Sequence, residues 1–184
     1  MVKWDINFFS LNGLLEISSK SQIKKLVKTF KCQKNADLEL FLHQKAIIFE
    51  KKGRSRTYLY IDTKAKKIIA YFTISISSLN IENFSTKTIS YLYGQNNVNS
   101  KCLPCYLIGQ LGKSDNCNLK IGNQLLKKSI SIIIKGHNIL NGRFILLDSL
   151  NNDKIIKFYQ NNGFIPIENV KKEKEVIKMI YWLL

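Results

Sequence analysis

Residues 152–164 read NDKIIKFYQNNGF. Ile155, Ile156, Phe158 and Tyr159 recur at helical spacing among polar residues, so the stretch reads as one amphipathic helix ending in Phe158-Tyr159. A polar exit and Gly163 close it, and Phe164 opens a short strand to Ile167. Phe158 should be buried in the core, which leaves open why a tyrosine follows it where a plain apolar residue would serve. Upstream, RFILLDS (143–149) has the composition of a strand, preceded by a long helix from about Asn118 to Lys135 and by PCYLIGQLG (104–112). That last run is nearly continuously apolar, the pattern of a strand buried on both faces. Strand, helix, strand, helix, strand is the signature of crossover connections in an α/β domain.

The amino-terminal half adds two helices and a hairpin. SQIKKLVKTF (21–30) places Ile23, Leu26, Val27 and Phe30 on one face, and a second helix runs from about Asp37 to Lys51 with Gly53 as its stop. RTYLYID (56–62) and KIIAYFTISIS (67–77) are β-rich and joined by the polar turn Thr63 to Lys66. A short helix is expected near Thr86 to Tyr93, and a last strand lies within EVIKMIYWLL.

The 184 residues suffice for one compact domain spanning 1–184 without disulfides or metals. The amino terminus carries Asp5 and Asn7 and the longest apolar runs are strand-length, so neither a signal peptide nor a membrane span is expected and the location should be cytoplasmic. The net charge of +16 rests on lysine, because Arg54, Arg56 and Arg143 are the only arginines. Such a field favours polyanions, RNA or phosphorylated cofactors, although lysines spread over every surface would equally make a solvated coat. Cys102 and Cys105 have CxxC spacing, but no second Cys or His pair follows at ligand distance. Free thiols and no metal are expected.

A buried strand, a polar loop and a helix start near Asn118 together make a generic anion site. In CNLKIGNQLL (117–126) a single glycine, Gly122, would let backbone approach a phosphate, with Lys120 adding charge. The same residues also fit an ordinary strand-to-helix turn.

This register resembles the GNAT superfamily of N-acetyltransferases, whose signature Q/R-x-x-G-x-G/A opens a helix continuing x-x-L-L. Cys117 stands for the usual Gln or Arg, Lys120 for the first glycine and Gly122 for the second, and Leu125-Leu126 is kept. Residues 152–164 resemble the superfamily's N-x-x-A-I-x-F-Y-x-x-x-G-F, with Ile155 for the alanine. FKCQKNADLELFLHQKA and SRTYLYID…KIIAYFTIS resemble the first half of the branch that serves as toxins of toxin-antitoxin pairs. The resemblance implies a mixed twisted sheet of about six to seven strands flanked by about four helices, with a V-shaped splay between central strands. It implies acetyl-CoA (coenzyme A) as cofactor, held by backbone around Leu111, Gly112, Lys113, Asn118, Lys120, Ile121, Gly122 and Asn123. Asn152 would lie near the pantetheine arm, and Tyr159 would give its proton to the departing thiolate.

Direct attack by the acceptor needs a neutral amine. An α-amine, of pKa about 7.7–8.0, is partly neutral at pH 7, whereas a lysine of about 10.4 needs a base. No histidine is expected in the cleft, because His43 falls in the second helix and His137 in the turn after the long one. The leading expectation is acetylation of the α-amine of aminoacyl-tRNA by a toxin-like enzyme with a small antitoxin partner. Lys24, Lys25, Lys28, Lys51, Lys52, Lys127 and Lys128 are candidate phosphate contacts. The alternatives are a small-molecule or protein N-terminal acetyltransferase with no nucleic-acid role, and a non-catalytic binding module. The chain is expected to be a monomer or homodimer.

Overall fold

A computed structural model describes residues 4–95, 99–167 and 175–183. The elements run β1 (Ile6–Ser10), α1 (Leu11–Ile17), α2 (Lys20–Val27), α3 (Ala36–Leu40), a π-helical turn Phe41–Lys45, and α4 (Ala46–Lys51). Next come β2 (Arg56–Asp62), β3 (Lys67–Asn80), α5 (Thr86–Tyr93), β4 (Cys102–Lys113), α6 (Gly122–Leu140) and β5 (Phe144–Leu150). The chain closes with α7 (Asp153–Gln160), β6 (Ile165–Pro166) and β7 (Val176–Trp182). One seven-stranded sheet has the order β1-β2-β3-β4-β5-β7-β6. β4 and β5 are parallel, and the β1/β2, β2/β3, β5/β7 and β6/β7 pairs are antiparallel. The expected mixed α/β architecture is therefore present. Counting the π-joined α3 and α4 as one rod, six helices accompany it among the described residues, two more than expected.

The described chain forms two compact units, one of residues 1–75 and 108–131, the other of residues 76–107 and 132–184. In the first, Leu11, Leu14, Ile23, Val27, Phe30, Leu42, Ala46, Leu59 and Tyr71 share one buried cluster. The helical spacing of α2 and α4 and the period-two alternation of β2 point these side chains at one another. The β2–β3 hairpin has the expected turn between Asp62 and Lys67, and β3 continues to Asn80, beyond the expected end at 77. Its turn is closed by Asp62 Oδ1, which accepts the N–H groups of Lys64 and Ala65, and Lys66 takes the left-handed conformation at φ 52°. Glu50, at the end of α4, turns inward. Its carboxylate accepts from Arg56 Nη1 at 2.7 Å and from the Thr57 N–H at 2.8 Å, tying α4 to the start of β2.

In the second unit, Leu79, Ile81, Leu92, Leu103, Phe144, Leu146 and Ile180 form the buried cluster. β5 pairs with β7 over its whole length, and β6 is a two-residue edge. An edge tolerates Pro166, which has no N–H to donate.

Four expectations are corrected. The segment Ile6–Ile17 holds β1 and α1, where no element was expected; the chain passes directly from strand to helix at Ser10, the last residue of β1, whose hydroxyl accepts the Gly13 N–H as the helix cap. β4 is not buried on both faces throughout: Cys102, Pro104 and Gly109 are exposed, set among buried Leu103, Cys105 and Ile108. The long helix starts at Gly122 rather than near Asn118 and continues to Leu140, so His137 lies within it. Phe158 is half-buried, not a core residue.

Candidate active site

Two groups of candidate residues belong to different units. The carboxy-terminal group lies on α7. Asn152 is the N-cap, its side-chain oxygen accepting the Lys154 N–H at 3.0 Å, which starts the helix where the capping preference of Asn predicts. Two turns on, Tyr159 presents its ring edge-on to Phe158, with centroids 5.1 Å apart, and to Phe164 at 5.8 Å. Phe164 is buried and packs in turn on Tyr181 at 5.4 Å. The Tyr159 carbonyl accepts from the N–H groups of Asn162 and Phe164, which folds the exit back under the ring. Gly163 makes that turn possible at φ 87°. Burial pushes the Tyr159 phenol up to about 12, so it holds its proton throughout the neutral range.

The other group runs from the end of β4 into α6. Gly112 is buried under α3: a Cβ there would lie 2.8 Å from Leu38 Cδ1. Leu38 is itself anchored, because its carbonyl accepts from the Tyr71 hydroxyl at 2.7 Å. Leu111 is half-buried. Beyond Lys113 the loop is stapled to residues 31–33. The Ser114 hydroxyl donates to the Lys31 carbonyl, the Asp115 N–H donates to the same carbonyl, and Asp115 Oδ2 accepts the Gln33 N–H at 2.6 Å. Lys113 Nζ donates to the carbonyls of Cys117 at 2.5 Å and Leu119 at 3.3 Å. Cys117 and Ile121 are buried, Asn118, Lys120 and Asn123 are not, and Gly122 is the first residue of α6. Leu125 and Leu126 face the core. Leu111 to Asn123 thus form one continuous strand, loop and helix start, with no acidic side chain in the first turn of α6. A helix start of this kind accepts an anion.

Lys24, Lys28 and Lys51 were candidates from the sequence, but Lys20 and the groove that gathers them were not. Lys20, Lys24 and Lys28 line one side of a groove with a volume of about 360 Å³, and His43, Gln44, Ile47, Ile48 and Lys51 line the other. The lysine stripe repeats every fourth residue and could have been read along α2. Its pairing with α4 is tertiary and could not. His43 is committed elsewhere, its Nε2 lying 3.0 Å from the Phe30 carbonyl oxygen.

No group of three metal-ligating side chains occurs among the described residues, and no described helix is long and apolar enough to cross a membrane. The CxxC pair is split between environments: Cys102 is exposed and Cys105 is buried, its thiol pushed up to about 11.

No protein-family model matches the chain, and no curated protein matches it. Solved structures do. A bacterial toxin superposes with a TM-score of 0.72 at 14% identity, over 98% of this chain and 92% of its own. AtaT complexed with acetyl-methionyl-tRNAfMet gives 0.67 at 18% identity, over 95% and 94%. AtaTR bound with AcCoA gives 0.69 at 17% identity, over 96% and 94%. The chain has the fold of AtaT. The likeness covers the mixed α/β sheet that the sequence resemblance implied and extends over nearly the whole chain rather than only the quoted motifs.

Proposed function

We propose that the chain is an acetyl-CoA-dependent N-acetyltransferase acting on an α-amine, that of aminoacyl-tRNA. The observation that carries the reading is Tyr159, a tyrosine fixed by Phe158 and Phe164 on the last turn of α7 and protonated at neutral pH. The residues at the end of β4 suit the cofactor: a strand end, a glycine and a loop leading into a helix start of unopposed positive dipole. When bound, acetyl-CoA supplies an activated acyl carbon and a thiol leaving group.

Backbone N–H groups near Leu111 and Gly112 then serve as donors to the carbonyl oxygen. Asn152, Lys113, Asn118, Lys120, Ile121, Gly122 and Asn123 complete the cofactor-binding set. The acceptor nitrogen would form the new C–N bond as the C–S bond breaks, Tyr159 would deliver its proton to the sulfur as charge develops there, and the proton lost by the acceptor nitrogen would return through solvent to restore the phenol. A phenol raised to about 12 would be a weak donor to an exposed thiolate. Burial raises a thiol in the same direction, as it does for Cys105, so a leaving thiolate held out of water would also be a stronger base.

Two features favour tRNA as the acceptor over a free small molecule. The +16 charge is accompanied by a groove in which Lys20, Lys24, Lys28 and Lys51 converge, suited to phosphate. One structure of the same fold, AtaT, holds an acetylated methionyl-tRNA. The toxin reading carries with it a small antitoxin partner and a cytoplasmic place of action. Thiol release from acetyl-CoA against a panel of amines and charged tRNAs tests it. Charged tRNA is expected to be turned over, with Tyr159→Phe losing about 10²-fold or more in kcat while binding acetyl-CoA normally. Turnover of small amines alone would overturn the tRNA assignment, and absent acetyl-CoA binding would favour a non-catalytic module.

A further inference from the structure

The cofactor loop lacks two of its three signature residues, Cys117 and Lys120 standing for Gln/Arg and Gly, yet it must still aim N–H groups at a pyrophosphate. Lys113 resolves this. It is the last residue of β4, and its ammonium reaches across the loop to the carbonyls of Cys117 and Leu119. A trans peptide carries its C=O and N–H on opposite sides, and the chain has no cis bond among its described residues. Drawing the Cys117 and Leu119 carbonyls toward Nζ therefore turns the N–H groups of Asn118 and Lys120 away from it. No hydrogen bond among the described residues of the loop uses either of those N–H groups. The Ser114 and Asp115 contacts fix residues 114–116, and the Lys113 ammonium holds the two carbonyls beyond them.

We propose that Lys113 is a positioning residue that orients the Asn118 and Lys120 backbone N–H groups toward the diphosphate of coenzyme A, and not itself a phosphate ligand. The role rests on the acetyl-CoA reading. An ammonium has three donors, two of which are spent on carbonyls, so its charge is already engaged inside the loop. Lys113 thereby supplies, from a side chain, the loop order that the missing signature residues would otherwise give.

Calorimetry with CoA on the full chain, in a salt series, tests this with wild type, Lys113→Met and Lys113→Arg. Lys113→Met is expected to weaken CoA binding about 10-fold or more and to raise KM for acetyl-CoA, with kcat at saturation kept within about twofold. Lys113→Arg should recover most of the loss. The slope of log Kd against log salt should be the same in Lys113→Met as in wild type, because no phosphate contact of the ammonium is lost. A slope lower by about one in the variant would show direct phosphate contact and overturn the proposal. Unchanged affinity in Lys113→Met, with the wild type binding, removes this role alone. A wild type that binds no CoA removes the acetyl-CoA reading and this role with it.

Discussion

In the proposed reaction Tyr159 is the proton donor, and its protonation has two separable consequences. With the phenol at about 12, the alkaline limb of the rate profile should be absent below pH 10. kcat/KM for an α-amine acceptor is expected to rise through about pH 8, as the acceptor loses its proton, and then to stay level. A fall between pH 9 and 10 would assign the acid to another group. The second consequence concerns stability. The folded pKa lies above the ordinary tyrosine value of about 10, so between pH 10 and 12 the folded state binds more protons than the unfolded one. Stability is thus fully present below pH 10 and falls as pH rises through 12. The part due to Tyr159 is at most about 3 kcal/mol. Tyr159→Phe should lose less stability than wild type over that interval in urea titrations; equal losses would mean that the ring is not buried as described. Gly163, which turns the exit under this ring, allows a third measurement. Alanine there would hold a left-handed φ with its Cβ 3.1 Å from Tyr181, and Gly163→Ala should cost about 1–2 kcal/mol in the same titration.

At the level of elements, the sequence was most informative where a local signal and a tertiary demand coincide. The β2–β3 hairpin has alternation in β2 and a polar turn that bonds to itself, and the strand ends flanking that turn fall at Asp62 and Lys67 as expected. α7 has an Asn cap, a four-residue apolar repeat and a glycine stop. Where one signal stood alone, the reading drifted. Residues 118–121 read as helix because the apolar period begins there, but the Cys117 carbonyl, which a helix would pair with the Ile121 N–H, is bound by Lys113 instead. A contact from outside the window thus moved the helix start by a turn. β1 and α1 lacked any turn residue to separate them, and the π-helical turn within the α3–α4 rod leaves no composition mark. Glu50 illustrates what no periodicity reveals. It reads as a solvated helix residue, yet its carboxylate is buried and holds Arg56 and the Thr57 N–H. Glu50→Ala strands that N–H and unties α4 from β2, and a loss of about 2–3 kcal/mol is expected by denaturant titration. A loss under about 0.5 kcal/mol, the scale of an ordinary surface substitution, would show the clamp to be incidental.

For the whole molecule, the positive charge is general but the groove between α2 and α4 is local. If tRNA is the acceptor, Lys24→Glu with Lys28→Glu should weaken tRNA binding about 10-fold or more at low salt and flatten its salt dependence, while acetyl-CoA affinity is unchanged. Loss of both affinities together would point to misfolding instead. Three elements, β3, β4 and α6, pass through both compact units. We propose on that ground that the chain unfolds as a single domain, and one calorimetric transition whose van't Hoff and calorimetric enthalpies agree is the expected result.

The cysteines carry a practical consequence. Of four thiols, only Cys102 meets solvent; Cys32, Cys105 and Cys117 are enclosed. A maleimide dye should therefore attach once per native chain, giving a defined fluorescent reporter without engineering. Because Cys117 sits inside the loop whose carbonyls Lys113 binds, a second equivalent of dye taken up under native conditions and mapped to Cys117 would be a direct sign that this loop had opened.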